Sequence, residues 1–298
     1  MKVSTGDCKN LERTLALEWL ETNGRGGFAS GTIAGPNTRR YHALLLVARK
    51  PPVERVVLVN HLEEYLDTSS GSFPLSTNLY PGAVHPDGYR RCVGFSSEPW
   101  PTWAYELDGI KVMREIFSPR GRDLVVVRWH LAELSTRSVR LVIRPMLTGR
   151  DYHSLHHENG AIHTEAAVRD GLVAWQPYRD LRQIRALHRG EYRHQPDWFR
   201  RVHYPMEQER GLDYEEDWWS PGEIVFTFSQ EGSASLVFTT ELVDTITVDA
   251  LAKDEQRRRK AVRTGAPKGD PLVRSLWCAT EAYISERGKQ QTVIAGYP

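Results

Sequence analysis

The side chains best suited to sugar chemistry stand together in Asp213-Tyr-Glu215-Glu216-Asp217-Trp218-Trp219. Glycosidases need two carboxylates, and aromatic planes stack on sugar faces. The carboxylates must flank the scissile bond at a separation of about 5 to 9.5 Å, which neighbours on one loop do not provide. The segment therefore reads first as structural, its acids neutralising arginines and Trp218 and Trp219 filling core, with direct sugar contact as the lesser role. His153, His156 and His157 place three imidazoles within five residues. No Asp, Glu or Cys stands in helical i, i+4 relation to them, so a loop that happens to be His-rich, with a sugar hydrogen bond as the most it would add, is a better expectation than a metal centre. Gly24-Arg-Gly26-Gly-Phe-Ala29 matches G-x-G-x-x-A, the dinucleotide loop. That loop needs a following helix and an acidic residue about 20 positions on, whereas Ser30 to Tyr41 is rich in Gly, Thr, Pro and Asn and is closed by Arg39 and Arg40. A glycine turn between strands is expected, with no cofactor and no metal.

The elements that must position these groups change character along the chain. Short β-branched and aromatic runs predict strands at Tyr41 to Ala48, Glu54 to Val59, Trp103 to Leu107, Lys111 to Phe117, Leu124 to Leu131, Val139 to Met146, Leu172 to Trp175, Ile224 to Phe228 and Ser235 to Thr239. Asp108-Gly109, Asn159-Gly160 and Asp170-Gly171 suit tight hairpins. No helical pattern separates the strands, so a large antiparallel β-sandwich is favoured over parallel winding. Beyond Thr240 two helices are predicted. Thr247 to Val262 is mostly polar, with Arg257, Arg258, Arg259 and Lys260 in a row, and reads as a solvated linker. Pro271 to Arg287 has Asp270 as a cap, Pro271 at the first helical position and a wide apolar face carrying Leu272, Leu276, Tyr283 and Ile284. The expected division is a sandwich over 1–242, a linker helix over 243–268, and a third unit over 269–298. The apolar stretch Gln291 to Pro298 reads as the start of something longer.

Composition bounds the function. The 298 residues carry 39 Lys plus Arg against 38 Asp plus Glu, for a net charge of +1, so no global field draws in nucleic acid or anionic lipid. Of the cations 31 are Arg, which favours fixed bidentate ion pairs. Arg179 to Arg201 holds seven Arg against three acids, and Glu207 to Asp217 holds six acids against Arg210. The two runs are expected to pair with each other, which argues against nucleic-acid binding. Cys8, Cys92 and Cys278 have no metal-ligand spacing and suggest free thiols in a reducing cytoplasm. There is no secretory leader pattern and no apolar run of roughly 20 residues that would span a membrane.

The order of the pieces carries a resemblance. Leu17-Glu-Trp-Leu-Glu21-Thr-Asn-Gly-Arg-Gly-Gly-Phe28-Ala-Ser-Gly31, Asn37-Thr-Arg-Arg-Tyr-His-Ala-Leu-Leu45, Glu209-Arg-Gly-Leu-Asp213-Tyr-Glu-Glu-Asp217 with Ser220-Pro-Gly222, and Ile294-Ala-Gly-Tyr-Pro298 together resemble the bacterial and archaeal type of glycogen debranching enzyme. The resemblance implies a β-rich supersandwich followed by the opening helices of an (α/α)6 barrel that hydrolyses α-1,6-linked glucose at glycogen branch points. It implies glycogen or a branched α-glucan as partner, together with the catalytic barrel of the same polypeptide. The catalytic carboxylates would lie in the barrel, so no catalytic residue is assigned within this chain, and any glucanotransferase activity of the parent would need its own site. Asn23, Arg25, Asn37, Arg39, Arg40 and His42, with Trp218 and Trp219, are the candidates for contact with glucan or barrel. For Arg39 and Arg40 the structural counterpart is pairing with Glu18 or Glu21. A stand-alone glucan-binding or scaffolding module is the alternative function.

Overall fold

The computed structural model describes residues 1–134 and 138–297; Pro298, the last residue of the Ile294 motif, lies outside them. The chain is mostly β, and every strand pairing within the two large sheets is antiparallel. A nine-stranded sheet runs in the order Lys2–Val3, Cys92–Ser96, Thr102–Leu107, Ile110–Phe117, Leu124–Ala132, Gly232–Thr239, Ile184–His188, Leu172–Trp175, Ala166–Arg169. An eight-stranded sheet contains Glu191–His203, Glu215–Phe228, Val139–Asp151, Val53–Thr68, Ala43–Lys50, Phe28–Thr32 and Glu18–Thr22, with Gly71–Pro74 paired to Val53–Thr68. Alternation places one set of side chains from each sheet into a shared core, for example Trp103, Tyr105 and Leu107 on one side and Leu58, Leu62 and Leu66 on the other. The sandwich expected from the turn-punctuated strand pattern is present.

Two of the three expected hairpin turns hold. Asp108 and Gly109 have φ of 48° and 75°, the double left-handed geometry of a two-residue turn between Thr102–Leu107 and Ile110–Phe117. Asp170-Gly171 joins Ala166–Arg169 to Leu172–Trp175. Asn159-Gly160 instead lies in the loop that crosses from Val139–Asp151 in one sheet to Ala166–Arg169 in the other. There the Asn159 amide donates to His157 O and Tyr178 Oη, both at 2.8 Å, so the side chain stitches a crossover loop.

The strand expected to end at Val59 continues as Val53–Thr68. The polar pair Asn60-His61 interrupts the apolar run without interrupting the ladder, because both side chains are buried and the Asn60 amide donates to Glu216 Oε2 at 3.1 Å.

The helix Val248–Thr264 is not the solvated linker expected. Ala252, with Leu251 and Val248, packs on Phe117, Leu124, Val126 and Val237, on the face of the nine-stranded sheet turned away from the sandwich core. The middle of that sheet is thus covered on both faces, which explains why its central strand reads Leu-Val-Val-Val without polar alternation. Of the four-cation run, Arg259 pairs with Glu21 and Glu255 and Arg258 with Glu255 and Glu281. The last predicted helix is correctly begun and ends early. Asp270 accepts from Leu272 N at 2.8 Å, but the helix is Pro271–Thr280, followed by a hairpin of Ile284–Arg287 and Gln290–Val293. Bonds from outside hold this hairpin: Arg120 donates to Ile284 O at 2.8 Å, and Glu286 N donates to Gly24 O at 2.8 Å. No helix among the described residues is long and apolar enough to cross a membrane.

Candidate functional site: an aromatic and arginine cleft

Asn37 to His42 links two neighbouring strands of the eight-stranded sheet, and its own amides shape it. The buried Asn37 amide donates to His42 O at 3.3 Å and Asn60 O at 3.2 Å, while Thr38 N donates to His42 Nδ1 at 3.1 Å. Both polar side chains are consumed inward, and Arg39, Arg40 and Tyr41 are carried toward the surface. Arg39 Nε donates to Glu18 Oε1 at 2.7 Å, and His42 Nε2 lies 3.4 Å from the same oxygen. Burial raises the Glu18 carboxyl, but the His42 and Arg39 contacts outweigh it and bring it down to about 2. Arg40 is a clamp between loops: it meets Glu207 Oε2 at 3.2 Å, His153 O at 2.7 Å and Asp213 O at 3.0 Å. Of the pairings expected for these arginines, Arg39 with Glu18 forms; Glu21 is taken by Arg259 at 2.5 Å.

Beyond that clamp lies a cleft of about 410 Å³. One wall is Tyr41, Tyr152 and His153. The tyrosine rings are 5.5 Å apart, and Tyr41 Oη lies 3.2 Å from His153 Nδ1. The floor is the Arg55 guanidinium, 5.4 Å from the Tyr152 ring and 5.7 Å from the Tyr297 ring. Gly296 and Tyr297 close the other side. Tyr297 packs edge-on against Phe28 at 5.4 Å and donates from Oη to Ala282 O at 2.8 Å. Arg39 and Arg210 stand at the rim. Among the described residues the lining holds hydroxyls, an imidazole, guanidinium groups and ring faces, and no carboxylate. Such a surface can stack on and donate to an uncharged polyol. By itself it cannot supply the acid and base of glycoside hydrolysis.

The remaining sequence candidates lie elsewhere. Asn23 is buried: its amide donates to Arg122 O and Asp123 Oδ1, both at 3.1 Å, and its oxygen accepts from Arg25 N and Gly27 N. Arg25 Nε lies 3.5 Å from Asp123 Oδ1. The loop these two residues build is the glycine turn expected, between Glu18–Thr22 and Phe28–Thr32. Gly26 has φ of 89°, and a Cβ there would stand 2.5 Å from Pro52 O, so the position excludes side chains. Trp219 fills the core between the sheets, and Trp218 is fully buried, donating to Tyr204 Oη at 3.1 Å and Glu216 Oε2 at 3.2 Å. Neither ring presents a face to solvent. Glu216 is itself buried against Arg150.

The three histidines diverge. His153 joins the cleft; His156 is buried, bonding Tyr178 Oη at 2.5 Å and Asp217 O at 3.0 Å; His157 is exposed. No group of three ligands that could hold a metal occurs among the described residues. The arginine-rich and acidic runs meet at Arg201, whose guanidinium pairs with Glu215 at 2.9 Å and whose N–H donates to Asp217 Oδ1 at 2.8 Å. Other members find partners outside, as Arg200 does with Glu158 and Glu207 with Arg40. Sequence reasoning did not single out Arg55, Tyr152, Arg210, Gly296 or Tyr297 as site residues, yet all line the cleft. Arg55 stands beside Glu54 at the start of its strand, ahead of the apolar run Val56 to Val59, and only the adjacency of Tyr152 to His153 was a signal.

The family model described as glycogen debranching enzyme N terminal matches residues 17–235, well over half of the chain. The chain belongs to this debranching-enzyme N-terminal family. The matched span includes Arg39, Tyr41, Arg55, Tyr152, His153 and Arg210 of the cleft, while Gly296 and Tyr297 lie beyond it. No curated protein matches the chain. Among solved structures, a bacterial glucoamylase complexed with acarbose is 8% identical with a TM-score of 0.38, over 95% of this chain and 40% of that one. This chain therefore spans less than half the length of that enzyme.

Proposed function

We propose that this debranching-family domain serves a polypeptide that hydrolyses α-1,6-linked glucose at glycogen branch points, and that it supplies one wall of the glucan cleft. Residues 1–242 form the sandwich, 243–268 the connecting helix, and 269–298 the opening of an (α/α)6 catalytic domain whose carboxylates complete the site. Arg39 and Arg40 act here through the loop they hold, and Asn37 and His42 through its shape, with Tyr41, Tyr152 and Tyr297 as the stacking surface. Asn23 and Arg25 belong to the interdomain side, since the Gly24 carbonyl of their turn receives the C-terminal hairpin.

The observation that carries this reading is the cleft itself: three tyrosines around an arginine floor, open to solvent and free of carboxylates. An uncharged polysaccharide is the ligand such a lining fits. The helix Pro271–Thr280 agrees with it, because Leu272, Val273, Leu276 and Trp277 are each between 46% and 63% exposed, an apolar face that suits further helices.

Isothermal titration of the chain with a branched maltooligosaccharide tests the cleft. Weak binding is expected, and Tyr152→Ala should weaken it about tenfold, the equivalent of about 1.4 kcal/mol. Absence of heat at millimolar sugar, or binding indifferent to Tyr152, would overturn the assignment.

A further inference from the structure

Four arginines are buried among the described residues: Arg55, Arg114, Arg150 and Arg185. Three of them sit on an acid. Arg114 lies 3.1 Å from Glu64, Arg185 lies 2.9 Å from Asp244, and Arg150 pairs with Glu216. Arg55, at 8% exposure, has no such partner among the described residues. Its Nε is enclosed without a hydrogen bond, and its guanidinium is boxed by the rings of Tyr152, Tyr297 and Phe28 at 5.4, 5.7 and 5.9 Å. The acids that might have answered it are engaged elsewhere: Glu54, its sequence neighbour, pairs with Lys50 at 2.6 Å, and Glu18 with Arg39 at 2.7 Å. Burying a cation is costly unless an anion meets it, and ring faces offset only part of that cost. The sheet fixes the charge in place, since Arg55 stands opposite Ala48 in the ladder and its carbonyl accepts from Tyr152 N at 3.2 Å.

We propose that the cleft is a phosphate-monoester site, in which Arg55 takes the phosphate of a phosphorylated glucose unit, free or within a glucan chain, and the tyrosines take its sugar ring. The inference rests on the reading of the cleft as a sugar site and adds the charge of the ligand. A neutral ring occupies Tyr41, Tyr152 and Tyr297 but leaves the guanidinium unanswered. A phosphate answers it, because two of its oxygens match the parallel N–H bonds of the guanidinium fork. Its double charge fits as well. At the rim Arg210 lies 3.9 Å from Glu207, which it shares with Arg40, so a second positive charge stands in excess beside Arg55, and the lining holds no carboxylate among the described residues. A carboxylate ligand would bring half of the charge required.

Isothermal titration of the whole chain at constant ionic strength tests the site, with glucose, glucose 6-phosphate, inorganic phosphate, and a maltooligosaccharide with and without a phosphate ester as probes. The phosphorylated member of each sugar pair is expected to bind about tenfold more tightly than the neutral one. Arg55→Gln should abolish that gain and keep the neutral titration, and Arg55→Lys, which holds the charge without the fork, should restore part of it. A gain confined to glucose 6-phosphate assigns the site to the free sugar phosphate, and one confined to the oligosaccharide assigns it to the chain. Equal affinity for phosphorylated and neutral sugar, a gain unchanged in Arg55→Gln, or inorganic phosphate bound as tightly as the phosphorylated sugars would overturn the proposal. The gain itself is read on the wild type, so the test survives a variant that fails to fold. Neutral sugar bound without any gain from phosphate fails this inference alone, whereas phosphorylated sugar bound without heat from the neutral one fails the neutral-glucan reading alone.

Discussion

Six donors from five residues surround the Glu216 carboxylate: two from Arg150 and one each from Asn60, His156, Tyr204 and Trp218. His61 lies beside this knot and has no such company. Its Nε2 is buried without a partner, its ring faces Trp218 at 5.4 Å, and burial together with the Arg114 guanidinium holds it down at about 3. The unfolded chain takes up that proton near pH 6.5, so between about 6.5 and 3 the unfolded state binds more protons and acid weakens the fold. The share due to one such group approaches about 1.4 kcal/mol per pH unit. Urea unfolding of wild type and His61→Gln from pH 7 to pH 4 should therefore show a shallower loss in the variant. Parallel slopes would mean that His61 is not the group titrating. None of this was legible in the sequence, where Asn60-His61 read only as the end of an apolar run. A buried polar pair inside a strand is recognisable once its distant partners, Glu216 and Trp218, are in place.

At the scale of elements, local pattern identified what local chemistry determines. Trp103 to Leu107 alternates cleanly, Lys111 to Phe117 is rich in β-branched and aromatic residues, and the two are joined by a turn that only left-handed residues make. Their strands were therefore readable to within a residue or so. Strands such as Glu191–His203 and Phe28–Thr32 were not. The first is an exposed, charge-rich edge held by its neighbour, and the second has the small residues Ala29, Ser30 and Gly31 where a pattern reader looks for β-branched ones. The C-terminal element shows the competition directly. Its apolar periodicity favours helix through Ile284, but after a 3-10 turn over Glu281–Tyr283 Arg120 and Gly24 capture the backbone in extended form from Ile284. What remains of the helix presents Leu276 and Trp277 outward. If that face is a docking surface and not a structural one, Leu276→Gln with Trp277→Gln should leave stability within about 0.5 kcal/mol per site and reduce self-association in light scattering. A cooperative drop in the unfolding midpoint would show instead that the face supports the fold.

For the whole molecule, the decisive arrangement is where the two large sheets, the connecting helix and the C-terminal hairpin leave their unfinished surfaces. The sandwich core is shared by both sheets, and Val248–Thr264 packs on the middle of the outer face of the nine-stranded sheet. Unfinished surface gathers at the other end of the chain, on the exposed face of Pro271–Thr280 and at the cleft that Tyr297 helps to wall. The two are physically joined, since Tyr297 is anchored by its hydroxyl to Ala282, directly beyond that helix. A body packed on the helix would thus be carried to the edge of the cleft. The proposed function calls for such a body. Hydrolysis of a glycosidic bond takes a general acid and a second carboxylate on opposite sides of the bond, and the cleft lining contributes neither. The chain by itself should release no glucose from a phosphorylase limit dextrin, even at protein concentrations where the titration shows sugar bound. Measurable turnover that disappears with Tyr152→Ala would place the reactive carboxylates within this domain and refute the division of labour. Turnover indifferent to Tyr152 would move the active site away from the cleft altogether.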